Sequence, residues 1–490
     1  MPTQDELQRT YQEALHKHRS GQLDAALARY DDFIAAAPTF APAHNNRGHV
    51  LTALGRPALA VPSLEAAIRL NPGYAEAFNN LGAALRDLKR LDEALASLDR
   101  AIALKPDLAE AHSNRGSVLF DLGRAAEALA SYERALALQP GLADAHRNCG
   151  AALYRLNRPR EAIDSYQYAI QIDPQDAEAR YQQSLSMLLL GDFDAGWRAF
   201  EWRKQRPGRR GGTPAHGVAW LGERDISGAT VLVYGEEGFG DTIQFCSFVP
   251  TLRLRCAGVI LQVQPELKSL LAANLRMASV IGADERPSDF DVHCAVMSLP
   301  LALGVGPDAF AAGGPYLRAD AERLARWQAR LGHGKRPRVG VAWSGAAYHP
   351  DDRNRSIELE RLQPLLSPQI DWVCLQDHVR PGDADRLQSL DHLAFHGEAV
   401  KDFSDTAALI ELMDLVICVD TSVAHLAAAM GKPVWILLPF SPDWRWGLDR
   451  ADSPWRPTAR LFRQPAPGDW ESVFSTVRRQ LDDWLAAQPG

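Results

Sequence analysis

The sequence predicts a chain in two parts: an all-helical repeat array, then an α/β region built on two parallel sheets. Three observations carry that expectation. Prolines fall at Pro38, Pro72, Pro106, Pro140 and Pro174, a strict 34-residue period that stops near Arg206. Past Gly228, short β-branched runs alternate with helical patterns, the signature of parallel sheets. Finally, 490 residues at 46% apolar and 23% charged suit several packed domains rather than disorder.

The array comes first. Gly48, Gly82, Gly116 and Gly150 keep the proline period, with Ser184 next. Ala26, Ala60, Ala94, Ala128 and Ala162 keep it too, with Gly196 last. Large side chains come next at Tyr30, Leu64, Leu98, Tyr132, Tyr166 and Phe200. Small residues let two helices approach, large ones fill the next gap, and proline ends each second helix. This is the tetratricopeptide pattern, an antiparallel helix pair per repeat. The spacing predicts about six hairpins from Tyr11 to roughly Arg203, stacked as a right-handed superhelix with a concave face.

Asn46, Asn80, Asn114 and Asn148 share one slot of that repeat, and Gln182 takes the next. An amide ladder offers paired donors and acceptors to the backbone of an extended peptide. Asparagine is also simply common in such repeats. The last hairpin, "GDFDAGWRAFEWR", carries Trp197, Phe200 and Trp202, which suits packing against the adjoining domain. "KQRPGRRGGTPAHG" then reads as a linker.

In the second half, "ATVLVYGEEGFGDT" reads as a strand entering a glycine-rich turn and a helix, and "GVILQVQPEL" as a second strand. "FDVHCAVMSLPLAL" adds a strand and its exit. The pattern restarts at "RVGVAWSG", with strands in "DWVCLQ", "LVICVD" and "PVWILLP" and helices in "IELERLQPLL", "TAALIELM" and "SVAHLAAAMG". Two such blocks imply two Rossmann-like domains facing across a cleft, with ligands at the carboxyl ends of the strands.

Three loops carry the candidate chemistry. In "GEEGFGDT", Gly240 and Asp241 open a helix; Asp241 either caps that helix or faces a ligand. In "VDTSVAH", Asp420 ends a strand, Thr421 and Ser422 begin a helix, and His425 lies one turn in. Such a start either holds a diphosphate or is a plain helix cap. "WSGAAYHPDDRNRS" offers Ser344, Gly345, His349, Arg353 and Arg355; paired arginines suit phosphate, and a solvated polar loop is the plainer account.

Together these loops resemble the GT-B glycosyltransferases of the bacterial heptosyltransferase type, over roughly Gly228 to Leu485 and most closely around Asp420–Pro433. The resemblance implies a general base at Asp241, with His349, Glu236 and Glu237 in reserve. It implies a nucleotide-sugar site at Gly240, Ser344, Gly345, Arg353, Arg355, Asp420, Thr421, Ser422 and His425. It departs from the family at "RNRSIEL", where lysine with tryptophan and proline is usual, so the sugar and nucleotide do not carry over. The domain expectation is residues 1–206 for the repeats, 207–227 for the linker, 228–335 for the acceptor-side half and 336–490 for the donor-side half. The resemblance also implies that the last helix, "WESVFSTVRRQLDDWLAA", crosses back over the first half.

Repeats joined to such a transferase resemble bacterial flagellin-glycosylating enzymes, and more distantly the eukaryotic O-linked N-acetylglucosamine transferases, whose amide ladder holds the protein acceptor. The expectation is therefore inverting, metal-independent sugar transfer to Ser or Thr of a protein held by Asn46, Asn80, Asn114, Asn148 and Gln182. No DxD stretch sits on a suitable loop; "DAD" at Asp383–Asp385 begins a helix. A lipopolysaccharide sugar transferase and a non-catalytic scaffold are the competing readings.

Composition adds exclusions. A formal charge of −8 gives no basic field for nucleic acid. The six cysteines form no CxxC and read as reduced core residues. The start "MPTQDELQRT" has no signal-peptide core, and "ALIELMDLVICV" is too short and too charged to span a membrane, so a cytoplasmic location is expected.

Overall fold

The computed structural model describes residues 3–207, 214, 216–236, 238–306, 314–349 and 351–488. The chain divides into two compact units, residues 1–183 and 184–490. The boundary falls inside the helix Ala177–Leu189.

Helices from Gln4–Arg19 to Phe193–Phe200 pair into six hairpins among the described residues, the first starting seven residues ahead of Tyr11. The periodic glycines are explained by contact. A Cβ on Gly48 would lie 2.4 Å from Leu64 Cγ, and one on Gly150 would lie 2.6 Å from the Tyr166 ring. Each glycine thus receives the large residue sixteen positions on, at the crossing of its own two helices. The alanines of the opposite slot are fully buried. Histidine has a repeated part as well: His44, His112 and His146 donate through Nε2 to the carbonyls of Pro38, Pro106 and Pro140, and Arg180 Nε does so for Pro174. These bonds satisfy carbonyls that the proline-containing turns leave without a helical partner.

The second unit holds two parallel sheets. The first runs β1 (Val218–Ala219), β5 (Val292–Ala295), β2 (Thr230–Tyr234), β3 (Gly258–Val263), β4 (Ser279–Gly282) in spatial order. β1 lies inside the segment expected to be linker. Trp220 and Ile226 beside it are buried, so residues 218–226 belong to this sheet's fold rather than to a free connection.

The second sheet runs β11 (Ala459–Arg463), β10 (Val434–Leu438), β9 (Leu415–Val419), β6 (Arg338–Ala342), β7 (Asp371–Cys374), β8 (Leu393–Ala394), all parallel. In chain order that is the 3-2-1-4-5-6 arrangement of a doubly wound dinucleotide-type fold, whose ligand crevice lies where the order reverses. Here the reversal is between β6 and β9. In the first sheet the corresponding place is between β2 and β5.

The terminal helix Trp470–Ala486 does not cross back. Its Trp470, Val473, Val477 and Leu481 are buried in one core with Val339, Trp372, Leu365 and Phe462 of the second sheet's own layers. A four-residue apolar stripe of that kind commits one helix face to one core. All six cysteines are buried and unpaired. No helix among the described residues is long and apolar enough to cross a membrane.

Candidate active site

β9 ends at Val419, and Asp420 and Thr421 turn the chain into the helix Ser422–Ala429. Thr421 sits at the N-cap, yet its side chain makes no capping bond, and its buried Oγ1 has no partner among the described residues. Arg355 reaches the same turn from the loop after β6: its Nη1 donates to the Asp420 carbonyl at 2.8 Å. Its Nε is buried and also without a partner. Gly345 makes this possible, since a Cβ there would lie 2.5 Å from Arg355 Nη2. Unspent N–H and O–H donors at a helix start, beside a guanidinium, suit an anionic ligand.

Ser344 is held rather than free. Its N–H donates to Gln376 Oε1 at 3.2 Å, and its Oγ accepts from Gln376 Nε2 at 3.1 Å. Arg380 Nη2 and Ser356 tie the backbone of Gly345, which braces the chain at that residue. Arg353 is exposed and lies on the short helix Asp352–Arg355 with no ion pair among the described residues. His349 is exposed too, and accepts the Asp351 N–H at 3.2 Å. Its pKa is lowered, by desolvation first and then by Arg355, while Asp351, Asp443 and Asp241 oppose, which sets His349 among the same charges.

His425 is buried. Its ring stacks on Trp446, 5.4 Å between centroids, and its Nε2 lies 3.7 Å from Asp420 Oδ1. Burial, reinforced by the charge of Arg445, pushes the His425 pKa down to about 3, so the ring is neutral near pH 7. Asp420 moves the other way, up to about 6, through burial and then the neighbouring charge of Asp443.

Asp241 comes to this place from the first sheet. It lies on the helix Phe239–Phe245, which comes after β2. Gly240 packs that helix onto the second: a Cβ there would stand 2.7 Å from His425 Cδ2. So Gly240, Asp241, Arg355, Asp420, Thr421, Ser422 and His425 are brought together. One carboxylate oxygen of Asp241 accepts the Gly238 N–H at 3.0 Å, as the capping account expects. The other is ion-paired with Arg445, a residue that no sequence motif singled out.

Arg445 lies after β10 in "SPDWRWG", and its side chain is only 8% exposed. Its Nε donates to Gln244 Oε1 at 2.7 Å, its Nη1 to Asp443 at 2.9 Å, and the guanidinium lies 4.6 Å from the Trp444 ring centre. The available signal was an arginine between two tryptophans just past a strand's carboxyl end, in a fold that binds ligands there.

One reserve residue drops out of this cluster. Glu236 is buried and takes no part in the site: its Oε2 accepts from Arg203 Nη2 at 2.6 Å, and Arg203 also binds Ser298 and Glu201. Both carboxylates neutralise a guanidinium that is itself 2% exposed. Glu237 lies outside the described residues. Asp383 of "DAD" is structural, accepting from Trp343 Nε1 at 2.9 Å and Leu359 N at 3.0 Å.

The ladder residues are half-buried, and each commits an amide N–H inside the array. Asn46 Nδ2 donates to Tyr11 Oη at 3.1 Å, Asn80 to Asn45 Oδ1 at 2.9 Å, and Asn114 to Asn79 Oδ1 at 2.9 Å. Each bond reaches back 35 residues, into the preceding repeat. Asn148 reaches Ser117 Oγ at 3.5 Å, and Gln182 bonds Glu178.

A doubly wound fold with an anion-ready helix start at its switch point, preceded by helical repeats, defines a class, and comparison with known proteins agrees with it. Residues 400–465 match glycosyltransferase family 9 (heptosyltransferase). Residues 41–74, 63–96, 82–123 and 107–175 match tetratricopeptide repeat families. The chain joins tetratricopeptide repeats to a glycosyltransferase family 9 domain. It is similar to Protein FlbA of Caulobacter vibrioides, 26% identical over 347 residues, which is 64% of this chain and 56% of that protein. The chain thus spans about half the length of that curated relative. Among solved structures it is similar to MamA (26% identity, 35% of this chain and 94% of that one, TM-score 0.30). It is also similar to a thermophilic TPR protein of Thermus thermophilus (24%, 37% and 99%, TM-score 0.34).

Proposed function

We propose that this chain transfers a sugar from a nucleotide-sugar donor to a serine or threonine hydroxyl of a protein, with inversion and without a metal, in the cytoplasm. The observation that carries this is the start of the helix Ser422–Ala429, where Thr421 Oγ1 and Arg355 Nε are buried donors without partners among the described residues. A leaving diphosphate would use both, together with the first backbone N–H groups of the helix. Asp241, one helix away, takes the acceptor proton. The repeats present the protein acceptor; flagellin is the acceptor that the resemblance of the whole arrangement suggests. Asn46, Asn80 and Asn114 each commit one amide N–H within the array, so the acceptor contacts would come from the second N–H, the remaining lone pairs of the amide oxygens and the side chains around them.

The test has two arms. Calorimetry of the full chain with UDP, GDP, CDP and ADP identifies the nucleotide, and the matching radiolabelled nucleotide sugar is then supplied to extract from cells lacking the gene. Label in a protein band, lost in the Asp241→Asn variant, is the expected result. Label in the lipid fraction would move the assignment to lipid glycosylation, and absence of any nucleotide binding would defeat it.

A further inference from the structure

The carboxylate that the proposed reaction needs is not free. Its two oxygens are engaged by the Gly238 N–H and by the Arg445 guanidinium, and the second bond joins loops from the two different sheets. Each oxygen keeps a second lone pair, so an acceptor hydroxyl would have to share an oxygen already held by a cation or by a backbone N–H. Among the described residues the Arg445 guanidinium is held by three side chains, Asp241, Gln244 and Asp443. It also belongs to the donor cluster: the residue after it, Trp446, stacks on His425, which is packed against Gly240.

We infer that Arg445 is a positioning residue that couples donor occupancy to the base: it holds Asp241 when the site is empty and passes to the diphosphate when donor binds, leaving Asp241 free to accept a proton. This rests on the transferase reading. The physical reason is competition for one guanidinium. A diphosphate carries more charge than a carboxylate and offers geometry for a forked contact, so it is the stronger partner in a site shielded from water. The acceptor hydroxyl would then meet a competent base only when donor is already present, and water would be activated less often in its absence.

Competition makes an unusual thermodynamic demand. Removing the carboxylate's charge must strengthen anion binding, and only while Arg445 is there to be released. Inorganic pyrophosphate, with UDP and GDP beside it, is titrated calorimetrically into the full chain as wild type, Asp241→Asn, Arg445→Gln and the double variant. Melting curves confirm folding, and Arg445→Met, which keeps the length of the side chain without its charge, serves if Arg445→Gln does not fold. We expect Asp241→Asn to bind pyrophosphate on the order of tenfold more tightly, the scale of one charge-assisted hydrogen bond released to the ligand, and Arg445→Gln to bind it about tenfold more weakly. In the Arg445→Gln background, Asp241→Asn should change the affinity by less than about twofold.

An unchanged or weaker affinity in Asp241→Asn overturns the inference. So does an equal tightening in both backgrounds, which would be bulk charge alone. If wild type binds none of the three probes, the donor-site reading falls and takes this one with it. If wild type binds and the cycle is simply additive, the donor site stands and only the handover fails.

Discussion

Gly240→Ala tests how the two helices are brought together, because local and tertiary effects oppose each other there. Alanine in a helix is favoured over glycine by about 1 kcal/mol, so the local effect is stabilising. The added methyl, however, would stand 2.7 Å from His425 Cδ2 and 3.4 Å from its Nε2. His425 has little room to retreat: its side chain is 12% exposed and its ring already lies against Trp446. Overpacking of this kind costs roughly 1–3 kcal/mol, which leaves a net loss of about 1 kcal/mol. The larger effect is on function. Relief comes by tilting the helix that carries Asp241 or by displacing His425 toward Asp420, and a shift approaching about 1 Å in such a site lowers turnover on the order of a hundredfold. Gly238→Ala is the control, since among the described residues a Cβ there meets only Asp241 Oδ2, at 3.5 Å. Urea unfolding gives the stability and pyrophosphate calorimetry the state of the site. A Gly240→Ala chain at least as stable as wild type, with unaltered anion affinity, would refute the close packing of these two helices.

Three further outcomes are expected. Thr421→Val removes a buried hydroxyl that has no partner among the described residues, so the chain should melt at the wild-type temperature or higher while pyrophosphate binds several-fold more weakly; a lower melting temperature would make Thr421 a simple cap. Asp420 is held protonated up to about 6, so its contribution to stability is full below the ordinary carboxylate range and is lost as pH rises past about 6. Asp420→Asn should therefore gain stability relative to wild type between about pH 4 and 6, on the order of 1–3 kcal/mol, and parallel urea midpoints across that range would contradict it. The depressed His425, common to both chains, acts in the opposite sense: its contribution falls away as pH drops from near 6.5 toward 3. Finally, Asn80→Ala with Asn114→Ala breaks two bonds between repeats and should cost about 2 kcal/mol in a melt of the array; no loss would mean the amides serve only a ligand.

The array was legible because its information is local and repeated. A 34-residue period of small residues, large residues and prolines states which helices cross and where, and the contacts of Gly48 with Leu64 and of Gly150 with Tyr166 are that pattern in space. The strands of the second half were legible where they are apolar runs between turn residues, as in "LVICVD" and "PVWILLP". β1, β4, β8 and β11 were not, being short or, like "ARLFR", interrupted by charge.

The site divides in the same way. Asp420–His425 and Gly240–Asp241 each showed themselves as a strand running into a helix start, and a turn of that kind is a local property. What the ladder asparagines bond to is not local: the partner lies 35 residues back, in a neighbouring repeat. Nor was there any local sign that Glu236 would be consumed by Arg203, or that the terminal helix would stay with the second sheet. Arg445 is the clearest case. By itself the sequence determined a helical repeat array, an α/β region and the loops able to meet an anion. Only the tertiary structure decided that an arginine 204 residues away holds Asp241, because an ion pair across two sheets depends on how two loops meet and leaves no trace in the spacing of either.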